Sequence, residues 1–139
     1  MNQTIILYPM MALAGWTFAV LALMPYQRFK AAFRGQVTPD DFKFGESARV
    51  PPAVSIPNRN YMNLLELPVL FYVACLTFYA TKNVDAVAFD LCWAYVALRV
   101  GHSLIHLAYN QVWHRMTVFA LSNFVLVMVW LRLLLVLSR

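Results

Sequence analysis

The chain has 139 residues, 62% of them apolar and only 12% charged, with a mean hydropathy of +0.62. Soluble domains average roughly 45–50% apolar, so this composition argues against a soluble globular domain, a disordered chain and a disulfide scaffold. Eleven Lys and Arg against six Asp and Glu give a net charge of +5, yet the basic residues lie mostly between apolar runs, where they read as topology signals and not as a nucleic-acid surface.

A helix that crosses a bilayer takes about 20 mostly apolar residues. Four such spans fit, which makes the chain an all-α membrane protein: a four-transmembrane-helix bundle in one domain over residues 1–139. The first span covers about residues 5–24. No Lys or Arg precedes it, and Pro25, Tyr26, Gln27 and Arg28 follow it like a stop-transfer flank, so it reads as a retained helix. Residues 25–57 form the one long polar segment, punctuated by Gly35, Pro39, Gly45, Pro51, Pro52 and Pro57. It reads as a loop on the membrane surface, with room for a short amphipathic piece over 26–33. The remaining spans cover about 58–80, 86–109 and 115–137, with links short enough to make neighbours antiparallel. Six basic residues fall between 25 and 59, and Arg115 flanks the third link. The positive-inside rule therefore puts the long loop and that link in the cytoplasm, with both termini on the other side. Compact loops and the want of a C-terminal retention signal lean towards a bacterial inner membrane.

Charged groups inside a bilayer are expensive and mark function by default. Arg59, Asn63 and Glu66 repeat at i, i+4 and i+7 on the second span; Arg99, His102, His106 and Asn110 repeat at i, i+3, i+7 and i+11 on the third. Each set is one helix face. With Arg115 at the start of the fourth span, all lie in one leaflet or at its rim. Lipid cannot satisfy such stripes, so they should face each other or a partner chain. Excess positive charge suits a small anionic ligand, because Arg grips carboxylates in a fork, and Glu66 suits either an arginine or a ligand ammonium. The alternative is a buried polar network that only locks helices together. His102 and His106, with Glu66 near, have a spacing permissive for metal, but the interleaved arginines repel a cation and no metal is expected. Asp90 and Arg132 lie at matching depths near the other end and are expected to form a structural ion pair. Cys75 and Cys92 fall inside apolar spans and read as small apolar groups, not as a disulfide. Trp16, Trp93, Trp113 and Trp130 read as interface belt or packing.

Four spans in this length, a long basic first loop, Arg59-x-x-x-Asn63-x-x-Glu66-x-Pro68 opening the second span, Arg99-x-x-His102 on the third and Arg115 sixteen residues on together resemble the MAPEG family, the membrane-associated proteins of eicosanoid and glutathione metabolism. The likeness is greatest to the microsomal glutathione transferase and prostaglandin E synthase branch. It implies a homotrimer with glutathione bound between neighbouring protomers. It also implies a site made of Arg59, Asn63, Glu66, His102 and Arg115, with Arg115 nearest the thiol, Arg99 as a further electrostatic contributor and Arg28 as the basic residue at the end of the first span. A guanidinium beside a thiol of pKa about 8.5 favours the thiolate. The chain departs from that branch where hydroxyl donors are expected: His106 replaces a tyrosine on the third span, and Met116 and Phe119 stand at the serine and tyrosine positions of the fourth. His106 is the substitute hydrogen-bond donor. Efficient prostaglandin isomerisation is therefore not expected. The reading is a glutathione-binding membrane transferase or peroxidase. It would attack lipophilic electrophiles from the bilayer, with Trp113, Met116 and Phe119 on the apolar side of the site. A non-catalytic membrane subunit with the same fold is the alternative, and a small transport component is a third.

Overall fold

The computed structural model describes residues 2–138, and every regular element in it is helical. A short 3-10 helix, Gln3–Ile6, leads into α1, Leu7–Phe33. After a folded loop come α2, Pro52–Leu65, and α3, Pro68–Thr81; then α4, Ala86–Ala108, and α5, Val112–Leu137. Four stretches are long and apolar enough to cross a membrane: Gln3–Phe33, Pro52–Thr81, Ala86–Ala108 and Val112–Leu137. The chain is therefore an integral membrane protein with an all-α bundle.

The bundle buries one stripe of each helix. Ile6, Leu13 and Val20 from the first segment meet Leu64 of α2 and Phe71, Cys75 and Phe78 of α3. Cys92, Tyr95 and Val96 of α4 and Leu126, Val129 and Leu133 of α5 complete the core. The outside is also apolar: Phe18, Phe124 and Leu134 are each more than 60% exposed, as expected where the solvent is hydrocarbon. The Cys75 and Cys92 thiols touch across α3 and α4 at 3.8 Å, and both are free.

Three boundaries differ from the sequence reading. Helix α1 does not stop at Met24 but runs through Pro25 to Phe33. Pro25 costs the helix one backbone donor, which a long helix tolerates at a single position. At about 1.5 Å per residue α1 is roughly 40 Å long, more than the hydrocarbon thickness of about 30 Å. Helix α2 starts at Pro52, where proline suits a first helical position. The second span is also two helices, not one rod. It breaks at Glu66, whose backbone (φ −79°, ψ −100°) has left the helical region. Two residues on, Pro68 has no N–H to give the Leu64 carbonyl, and it opens α3 at that helix's first position.

The loop of 34–51 is folded against α1 and α2. Ala31, Val37, Val50 and Val54 form a small second core with Phe42. Asp41 organises the loop. Its carboxylate accepts from the Thr38 backbone N–H (2.8 Å), the Thr38 hydroxyl (3.0 Å) and the Ser47 hydroxyl (2.6 Å). The Ser47 bond, with the others, holds the Asp41 carboxyl below the ordinary carboxylate range. A group with a depressed folded pKa stabilises the fold above its unfolded value and loses that contribution as pH falls through the folded value. The loop should thus stay ordered at pH 5 and loosen only in strong acid. Asp41→Ala should expose Lys43 and Arg49 to trypsin at neutral pH, while the melting of the bundle barely moves. Unchanged cleavage would mean that the small apolar core holds the loop without Asp41.

The expected Asp90–Arg132 pair is not formed. Arg132 donates to Asp85 instead, and Asp85 also caps α4 by accepting from the Ala88 N–H at 2.8 Å. Asp90 and Asp85 are five residues apart, so they point about 140° from each other around the helix. Depth matched Asp90 to Arg132, but direction did not.

Candidate functional site

Helices α2, α4 and α5 line an open cavity of about 450 Å³. Arg59, Asn63 and Glu66 reach it from α2, His102 and His106 from α4, and Arg115, Met116 and Phe119 from α5; Asn58 and Met62 complete the wall. Five residues of the two stripes, together with Arg115, thus converge on one space. The reason is geometric. The i+3 and i+4 spacings keep each set on one face, and the short link through Gln111 folds α5 back beside α4.

The walls are chemically divided. Arg59 and Glu66 are exposed on the flank of the protomer, and Arg115 is half-buried. His102 and His106 are buried, with ring centroids 6.0 Å apart, and the Nδ1 atom of each is buried without a hydrogen-bond partner. Phe119 lies 5.5 Å from the His102 ring, tilted by 48°, and with Met116 it makes the apolar side. Two guanidiniums, Arg59 and Arg115, and two imidazoles face a single carboxylate, Glu66, so an anionic ligand with one positive group is a good electrostatic match. Among the described residues, no three His, Cys, Asp or Glu side chains stand close enough to hold a metal ion.

Arg99 lies just under this space and is fully buried. Its Nη2 donates to the backbone carbonyl of Asn63, and its guanidinium carbon sits 5.5 Å from the Phe119 ring centroid. The carbonyl belongs to the last turn of α2, where the break at Glu66 disturbs the helical bonding. Arg99 therefore caps a helix end inside the membrane, where a cation is favoured by the helix dipole. Its Nε and Nη1 remain buried without partners.

Arg28 is elsewhere within the protomer. It stands 3.8 Å from Glu46 and over the Phe42 ring at 4.6 Å, on an apolar groove between α1 and the folded loop. Trp113, expected on the apolar side of the site, is 73% exposed and outside the cavity wall. It sits in the first turn of α5, three residues before the cavity-lining Met116.

Sequence reasoning missed what supports the site. The Ser103 hydroxyl accepts from Asn60 Nδ2 at 2.6 Å and from Trp16 Nε1 at 2.8 Å, tying α1, α2 and α4 at one point. Asn60 and Ser103 are both fully buried. The signal was present: Asn60 stands four residues before the core residue Leu64, so it is a polar group at a core position.

The family comparison agrees with this architecture. A model of the MAPEG family matches residues 6–135, nearly the whole length. The chain belongs to the MAPEG family. No curated protein and no solved structure matches it. As a MAPEG member it is a membrane protein of glutathione and eicosanoid metabolism. Of the residues that carried the resemblance, Arg59, Asn63, Glu66, His102 and Arg115 line the cavity, with Arg99 beneath it.

Proposed function

We propose that this MAPEG protein binds glutathione in the α2/α4/α5 cavity and transfers it to lipophilic electrophiles, or uses it to reduce lipid hydroperoxides. The observation that carries the reading is the convergence of Arg59, His102, His106 and Arg115 around one carboxylate, Glu66, with Met116 and Phe119 opposite. Glutathione carries two carboxylates, one ammonium and a thiol. Arg59 grips a carboxylate, Glu66 receives the ammonium, and Arg115 stabilises the thiolate. His106, whose ring lines the cavity, donates a hydrogen bond to the sulfur in place of the absent tyrosine. In conjugation the thiol proton leaves to water. The thiolate then forms a sulfur–carbon bond as the leaving group departs with its electron pair. The apolar substrate enters from the bilayer past Met116 and Phe119, and the tripeptide enters from the cytoplasm.

Arg59 and Glu66 are open on the flank of the protomer. A bare carboxylate against lipid is costly, which favours a neighbouring protomer over that flank and hence the homotrimer of the family resemblance. The replacement of both hydroxyl positions by Met116 and Phe119 favours one other reading, a subunit that binds the thiol without turning it over.

A ligand that binds only the folded state must raise the melting temperature. Glutathione at millimolar concentration should therefore raise it saturably in detergent, and an aryl halide should then be conjugated. A rise without conjugation selects the non-catalytic subunit. With no rise at all, glutathione is not the ligand.

A further inference from the structure

The link between α4 and α5 is built to hold one side chain. Asn110 adopts a left-handed backbone (φ +48°), a conformation Asn tolerates far better than most residues. Its N–H closes the end of α4 on the Ile105 carbonyl at 2.8 Å. Gln111 then caps α5, accepting from the His114 N–H at 2.7 Å. From inside this turn Asn110 Oδ1 accepts a hydrogen bond from Arg115 Nη1 at 2.6 Å. The bond restrains a guanidinium on a long side chain that would otherwise sample many rotamers. Arg115 keeps four further N–H donors, and it lines the cavity.

The chemistry of the partner matters as much as its position. A carboxylate at Asn110 would accept the same bond, but it would also cancel the cation and draw its field away from the cavity. An amide orients without neutralising. We propose that Asn110 is a positioning residue for Arg115, fixing the guanidinium over the cavity while leaving its charge whole. This rests on the reading of Arg115 as the group that faces a thiol. The other charged or titratable groups facing the cavity are Arg59 and Glu66 from α2 and His102 and His106 from α4; Tyr109 and His114, paired at 3.2 Å, flank the turn. All of these are common to the variants below, so the difference between wild type and Asn110→Gly reports on the Arg115 bond.

Two substitutions separate the bond from the turn. Asn110→Gly keeps the left-handed backbone accessible and removes the acceptor. Asn110→Asp keeps both the backbone and the acceptor but adds a charge. The readout is the ultraviolet absorbance of the glutathione thiolate bound to each purified protein, titrated against pH, with melting temperature alongside. Wild-type protein should titrate bound thiol below its free value. Asn110→Gly should raise that midpoint by about one unit, a several-fold loss of thiolate at neutral pH, and melt close to wild type. Asn110→Asp should raise it further. If Asn110→Gly titrates like wild type while Arg115→Ala does not, Asn110 is a turn residue only and the proposal fails. If wild type itself shows neither a thiolate band nor a melting shift with glutathione, the functional reading fails and takes this inference with it.

Discussion

Arg115→Ala should reduce glutathione-dependent conjugation on the order of 10- to 100-fold at neutral pH, with the fold intact. The magnitude follows from one charge. An opposite charge within a few ångström lowers an acid's pKa by about 1–3 units, and a free thiol near 8.5 is only a few per cent ionised at pH 7. Removing the guanidinium returns the bound thiol towards that value. The rate should therefore recover as pH rises towards 9, because a larger thiolate fraction then forms unaided. Arg115 is half-buried, and among the described residues its guanidinium bonds to Asn110 in the α4–α5 turn, so its loss removes no bond between distant helices. Steady-state rates across pH 6–9 test this directly. A variant with wild-type rates throughout would remove Arg115 from the chemistry.

Arg99→Met should act in the opposite way, on stability first. The substitution keeps an unbranched, apolar stem in a buried slot but withdraws the donor to the Asn63 carbonyl. A hydrogen bond from a charged group is worth about 1.5–3 kcal/mol, though bonds within membranes tend to the lower part of that range. Arg99→Ala adds a cavity term of about 2 kcal/mol or more. Thermal unfolding in detergent should thus rank wild type above Arg99→Met, and Arg99→Met above Arg99→Ala. If Arg99→Met melts with or above wild type, then the buried charge is a burden retained for a ligand and not a brace for the break in the second span.

These two arginines also mark how far the sequence could be read. Helix count, the absence of charged residues over long runs and the two polar stripes were legible, because apolar content and helical spacing are local properties of the chain. His102, His106 and Glu66 were brought together as their spacing implied. Arg99 shares the stripe of His102, and its placement under the cavity depended on a break that no periodicity revealed. Leu67-Pro68 looks like an ordinary proline in a transmembrane run; what distinguishes it is the Glu66 backbone, which only the fold displays. Asp90 failed for a related reason. Depth along a helix can be counted from its end, but direction around it needs the partner's position as well. Arg28 was separated from the cavity by the continuation of α1 through Pro25, which carried it up to the folded loop and Glu46.

The jointed second span also bears on how this protein meets membranes of different thickness. A rigid helix that is too long or too short for its bilayer tilts as one body, and a side chain at one end is displaced by what happens at the other. Here the crossing is shared by two segments of 14 residues, each about 21 Å long. The joint lies between α3, whose outer face meets lipid while Phe71, Cys75 and Phe78 pack in the core, and the residues of α2 that face the cavity. A tilt of α3 is therefore not passed rigidly through Glu66 and Leu67 to Arg59 and Asn63. The discontinuity is in this sense a mechanical joint between the bilayer and the chemistry beside it.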